Sequence, residues 1–151
     1  MASTLVKITI HLMFHVKSSG VTIREEDLER IFAYIGGVIR SIDGAPIQIG
    51  GMPDHVHILT SLPKTMSLAD FVRTIKSHSS KWIKTLDASY QSFTWQEGYG
   101  AFSVSPSLLT KTIKYIQGQA EHHKKRTFIE EYKLFLEAYG NDNDERFAFK
   151  D

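Results

Sequence analysis

The run from Val6 to Lys17 alternates without a break, with Val6, Ile8, Ile10, Leu12, Phe14 and Val16 on one side and Lys7, Thr9, His11, Met13, His15 and Lys17 on the other. Successive side chains of a strand point to opposite faces, so this pattern predicts a strand with one face laid on a core. Gly20 ends the pattern. Whatever else the chain builds must include a sheet and something apolar to cover it.

Helical spacing takes over next. Thr22 and Glu25 have the spacing of a capping box, and Leu28, Ile31, Phe32, Ile35, Val38 and Ile39 predict a helix to about Arg40, weakened by Gly36 and Gly37. A short strand is expected over Pro46–Gly51, then a turn at Met52-Pro53-Asp54. A second alternating strand follows, with Val56, Ile58, Thr60 and Leu62 opposite His55, His57, Leu59 and Ser61. Ser67 and Asp70 open another helix to about Asp87, its buried stripe formed by Leu68, Phe71, Val72, Ile75, Trp82, Ile83 and Leu86. After a loop from Ser89 to Glu97, a strand is expected over Gly98–Ser105. Pro106-Ser107 then starts a helix carrying Leu108, Leu109, Ile113 and Ile116, which should end or bend near Arg126. Thr127 and Glu130 form a third capping box, opening a last helix with Phe128, Tyr132, Phe135 and Leu136 that stops near Gly140.

The order β-α-β-β-α-β followed by helices is the split βαβ arrangement of an α+β, ferredoxin-like fold, with two helices on one face of an antiparallel sheet. We expect one domain over residues 1–140 and a polar tail over residues 141–151. Alternation turns Val56 and Ile58 toward the helices and His55 and His57 away from them. The face carrying the histidines must be covered by the last helices, a partner subunit, a nucleic acid or a combination of these.

Composition narrows the chemistry. With 42% hydrophobic and 23% charged residues the chain reads as an ordinary soluble globular protein, and no apolar run approaches the ~20 residues of a membrane helix. The absence of cysteine excludes disulfides and thiolate zinc sites. With no secretion signal, a cytoplasmic location is expected. A net charge of +1 means that any contact with nucleic acid must come from local basic clusters.

Two groups of residues could carry a reaction. His55 and His57, two apart on a strand, point the same way, and two imidazoles at that spacing can converge on a metal ion. They read equally well as surface histidines on an exposed sheet face. Asp54 fits either an imidazole-orienting carboxylate or a plain turn residue. Lys111, Tyr115, Gln119 and His123 recur every fourth residue and so share a helix face, which brings together a tyrosine nucleophile, an amide oxygen and a phosphate-binding lysine. The same spacing describes an amphipathic helix with Tyr115 at the core edge. Arg73, Lys76 and Lys84 share one helix face and Lys124, Lys125 and Arg126 close another, candidates for phosphate contact. Trp95, Tyr99 and Phe102 are candidates for stacking on bases or for the core.

Gly50-Gly51-Met52-Pro53-Asp54-His55-Val56-His57-Ile58-Leu59 resembles the His-hydrophobic-His (HUH) motif of the single-tyrosine, IS200-like transposases of small bacterial insertion sequences. Ser79-Ser80-Lys81-Trp82-Ile83, Trp95 through Ser103, and Tyr115-Ile116-Gln117-Gly118-Gln119 continuing through His122-His123 to Phe128 are similar to later blocks of that family, in order. The resemblance implies cleavage of single-stranded DNA at hairpin-bearing element ends, through a 5′-phosphotyrosine link that is later rejoined. It implies a divalent ion, Mg2+ or Mn2+, held by His55, His57 and Gln119, with Tyr115 as nucleophile in a homodimer, acting either within its own chain or at the metal site of the other chain. Physical chemistry agrees, since an ordinary tyrosine with a pKa of ~10 costs about 4 kcal/mol to hold ionised at neutral pH. A metal polarising the phosphate relaxes that demand.

A single-stranded nucleic-acid binding module on the same fold would use the aromatic and basic residues but leave the histidine pair and Tyr115 without a joint role. A two-histidine phosphoesterase needs paired His-x-Ser/Thr motifs on strands. Only His78-Ser79-Ser80 fits, inside an expected helix.

Overall fold

The computed structural model describes residues 3–18 and 20–119, together with Glu130 and Lys133. Glu130 and Lys133 of the expected last helix are helical and exposed, while the rest of that helix, Thr127, the polar tail, His122, His123 and the Lys124-Lys125-Arg126 cluster lie outside the described residues.

Four strands form one antiparallel sheet: β1 (Thr9–His15), β2 (Pro46–Met52), β3 (His55–Ser61) and β4 (Gly100–Ser103), in the order β2-β3-β1-β4. Helices α1 (Leu28–Ser41) and α2 (Leu68–Leu86) cover one face, and α3 (Leu109–Gln117) follows β4. This is the expected ferredoxin-like arrangement. The core between sheet and helices contains Ile10, Leu12, Phe14, Val56 and Ile58 from the strands, and Ile31, Ile35, Ile39, Phe71, Val72 and Ile75 from the helices. The alternation in β1 and β3 therefore reads true to its faces.

The first strand is shorter than its sequence pattern. The β1–β3 pairing ends at Thr9 and Ser61, with one further bond from Leu62 N to Ile8 O at 2.8 Å, and Val6 and Ile8 are exposed. β4 is likewise trimmed to the residues that meet Ile10–Met13 of β1. Thr22 does not cap a helix. A 3-10 turn over Glu25–Asp27 precedes α1 instead, and its N-cap position, Arg24, makes no side-chain cap bond. Here a buried carboxylate organises the entry: Asp27 accepts from the Tyr90 hydroxyl, from Arg24 Nε at 3.0 Å and from Arg30 Nη2 at 2.6 Å. Burial acts to raise the Asp27 pKa, but the bonds from Tyr90, Arg30 and Arg24 outweigh it and hold the carboxyl below its ordinary value. At α2 the expected cap is present, with Ser67 Oγ accepting from Asp70 N at 3.1 Å. Gly36 and Gly37 do not interrupt α1.

On the other face of the sheet, α3 packs Ile116 against Leu59 and Val104, with Leu109, Ile113 and Tyr115 around them. Gly50 makes this possible. A Cβ there would stand 2.8 Å from Ile116 O and 2.9 Å from Ile116 Cγ2, so the helix lies directly on the β2 backbone. α3 also ends sooner than the spacing predicts. Gly118 N donates to both Lys114 O and Tyr115 O, and the chain turns there before Gln119, so the helix does not run unbroken to Arg126.

Candidate active site

Strand geometry alone places most of the site. His55 and His57 project from β3 on the α3 side, and register sets Met13 and Gly50 opposite His57, and His15 and Met52 opposite His55. Neither histidine is a surface residue: both are 0% exposed, covered once α3 crosses the sheet. Their ring centroids lie 5.2 Å apart at 83°.

Each imidazole has one nitrogen engaged from the side. His55 Nδ1 donates to Asp54 Oδ1 at 2.7 Å, which assigns Asp54 as the carboxylate that orients the ring. His57 Nδ1 lies 2.9 Å from Nε2 of His11, a buried residue on β1. Burial, and then the proximity of His57, hold the His11 pKa well below the usual imidazole value.

The helix supplies the remaining groups. Gln119, buried beyond the Gly118 turn, brings Oε1 to 3.0 Å from His55 Nε2, while its Nε2 donates to Tyr115 O at 3.4 Å. The half-buried Tyr115 ring stands 5.7 Å from the His57 ring and 6.4 Å from that of His11. His55, His57, Tyr115 and Gln119, far apart in sequence, thus meet in one place within one chain. Among the described residues no group of three or more His, Cys, Asp or Glu side chains is placed to hold a metal. Beside the two imidazoles stands an amide oxygen, that of Gln119.

The donor chemistry suits a cation. With its Nδ1 proton directed to Asp54, His55 leaves Nε2 facing Gln119 Oε1, where either a proton or a metal cation can be shared between the two. A separation of 3.0 Å is also that of neighbouring ligands roughly 2.1 Å from one octahedral ion.

The basic residues fall in different places. Lys111 is exposed on α3, one turn before Tyr115. Arg73, Lys76 and Lys84 belong to α2, across the sheet from the histidines. Arg73 pairs with Asp70. Lys76 Nζ donates to the carbonyls of Gln96 and Gly98 at 2.7 Å and to that of Glu97 at 3.3 Å. It also lies over the rings of Phe14 and Tyr99. Burial lowers its pKa to about 8, against the opposing charge of Glu97. Its ammonium therefore fastens the 96–98 loop. Trp95 is a core residue, edge-on to Phe14 and donating to Ser79 Oγ at 3.0 Å. Phe102 is buried as well.

His11 is the site residue that sequence reasoning left without a role. Its only signal was membership of the same strand face as the pair, because the contact depends on how β1 and β3 are registered.

No curated protein sequence matches the chain. Several solved structures share its fold, including these two. A candidate transposase from Deinococcus radiodurans R1 superposes with a TM-score of 0.61 at 18% identity, over 79% of this chain and 95% of that one. A REP-associated tyrosine transposase bound to a REP hairpin superposes with a TM-score of 0.59 at 15% identity, over 82% of this chain and 73% of the other. The family described as "Transposase IS200 like" matches residues 4–119, a span that holds every element above and all four site residues, and the chain belongs to that IS200-like transposase family.

Proposed function

We propose that the protein is a metal-dependent, single-stranded DNA endonuclease and strand transferase that acts on hairpin-bearing element ends through a 5′-phosphotyrosine intermediate. The observation that carries this reading is the meeting of His55 Nε2 and Gln119 Oε1 at 3.0 Å, with the Tyr115 ring 5.7 Å from that of His57. His55, His57 and Gln119 would hold the divalent ion, Mg2+ or Mn2+. When bound there, such an ion supplies positive charge to a phosphate oxygen and to the departing 3′-oxygen.

The chain's own residues do the rest. Tyr115 Oη attacks phosphorus, the bond to the 3′-oxygen breaks, and the DNA 5′ end is left on the tyrosine with a free 3′-hydroxyl. A 3′-hydroxyl then attacks the phosphotyrosine and returns the phenol, so bond energy is kept through both steps. Asp54 fixes the His55 ring so that Nε2 faces Gln119. α3, lying flat on β2 and β3, excludes water from the histidines and presents Tyr115 at their edge. We infer that Lys111, exposed on the same helix, takes a flanking phosphate, and that Lys124, Lys125 and Arg126, later in the sequence, add phosphate contacts. The similarity to a hairpin-bound tyrosine transposase supports a hairpin substrate. We also infer a homodimer, although one chain supplies all four site groups.

Incubation with hairpin-ended single-stranded DNA and Mn2+, followed by a denaturing gel, tests the reading. A covalent protein–DNA adduct is expected from the wild type and none from Tyr115→Phe, whose DNA binding should stay near normal. An adduct with the Phe variant would remove Tyr115 from the mechanism. A mobility shift with no adduct from the wild type would leave a hairpin-binding relative that no longer cleaves.

A further inference from the structure

His11 is fully buried beside the site, on a different strand from either candidate ligand. Register places it opposite Leu59 and places Met13 opposite His57, so His11 and His57 are diagonal neighbours on one sheet face. Their rings are tilted by 39° with centroids 5.1 Å apart, and His11 Nε2 meets His57 Nδ1 at 2.9 Å. Between two imidazole nitrogens one must donate and the other accept.

The direction of that bond follows from the chemistry of a ligating histidine. An imidazole that gives Nε2 to a metal carries its remaining proton on Nδ1, and the group receiving that proton fixes both ring orientation and tautomer. We propose that His11 is the positioning residue for His57: its unprotonated Nε2 accepts the His57 Nδ1 proton and so keeps His57 in the tautomer that leaves Nε2 for the metal. This inference rests on the metal-site reading above. It explains why an imidazole stands there. A carboxylate would accept the proton more strongly, but at a position with 0% exposure it would bury a charge, whereas a neutral ring orients His57 without one. His55 has the other solution, because Asp54 is 59% exposed and remains hydrated. The two histidines would thus be held by partners of unequal strength.

Binding of Mn2+, followed by loss of the free-ion electron paramagnetic resonance signal, tests the assignment without any turnover. Wild type, His57→Ala, His11→Leu and His11→Gln are compared after their folding is checked by thermal melts. Loss of the acceptor in His11→Leu should weaken Mn2+ binding by about 10- to 100-fold. His11→Gln, whose amide oxygen can reach the Nε2 position, should recover most of it. A folded His11→Leu protein that binds Mn2+ as tightly as wild type overturns the proposal. Wild-type protein that binds no better than His57→Ala overturns the metal-site reading itself, a different result. An independent measurement needs no variant to fold: long-range 1H–15N spectra of the Mg2+-saturated wild type should show His11 protonated at Nδ1 and His57 at Nδ1. A proton on His11 Nε2 reverses the bond and refutes the assignment.

Discussion

Replacing Gly50 by Ala should damage the site without touching any of its functional groups. Gly50 is opposite His57 in the β2–β3 ladder, and an added Cβ would meet Ile116 O at 2.8 Å and Ile116 Cγ2 at 2.9 Å. Ordinary carbon contacts begin near 3.4 Å, so the α3 backbone must lift by about 0.6 Å at this point. Overpacking of this kind costs ~1–3 kcal/mol. For a chain of this size that lowers the melting temperature by roughly 2–4 °C per kcal/mol. The effect on chemistry should be larger than the effect on folding. Ile116 lies between Tyr115 and Gln119, so the same lift moves the nucleophile and opens the His55–Gln119 pair from its present 3.0 Å. A misplacement of 1 Å can cost on the order of 100-fold, so a shift of ~0.6 Å should slow adduct formation on the order of tenfold. Single-turnover adduct formation at saturating Mn2+, read beside a thermal melt, measures both quantities. Gly37→Ala is the control. Its Cβ would meet nothing within 4 Å, and in the middle of α1 it should stabilise the fold by about 0.5–1 kcal/mol with no effect on the rate. A Gly50→Ala protein that forms adduct at the wild-type rate would show that seating α3 on β2 does not set the site geometry.

Two imidazoles and an amide form a softer donor set than the carboxylates typical of magnesium sites, so Mn2+ should support cleavage at least as well as Mg2+. A metal-titrated cleavage assay with activity restricted to Mg2+ would contradict that ligand set. Because Tyr115 and the histidines meet within one chain, mixing Tyr115→Phe with His57→Ala should not restore adduct formation. Recovery in the mixture would place the nucleophile across a dimer. The Asp27 carboxyl is held below its ordinary value of 3.8, so the unfolded chain takes up the proton first. Its stabilisation is complete above about pH 5 and is lost as pH falls through the folded pKa. Asp27→Asn should therefore melt lower than wild type at pH 7 but lose less on acidification to pH 3, and parallel acid limbs for the two proteins would refute this.

Much of this arrangement was legible because alternation is local. The face of β1, the face of β3 and the cap at Ser67 each depend on residues within a few positions, and the structure places them as the pattern predicts. That His55, Tyr115 and Gln119 meet in one place was legible only through the resemblance, since spacing also describes an amphipathic helix. Other features depended on tertiary facts. Thr22 has the spacing of a cap, but the buried Asp27–Tyr90 bond sets the helix entry elsewhere. Lys76 looks like a phosphate-binding side chain until the loop carbonyls of Gln96 and Gly98 close around it. His11 needs the β1–β3 register before it has a neighbour at all.

The turn at Gly118 divides the site mechanically. Tyr115 is carried by a rod seated on the sheet through Ile116, while Gln119, again helical, stands one residue past the Gly118 turn, where the Gly118 N–H is shared between Lys114 O and Tyr115 O. The candidate nucleophile and the candidate third ligand therefore sit on either side of one turn, and a substitution at Gly118 would act on the Gln119 amide more directly than on the Tyr115 phenol.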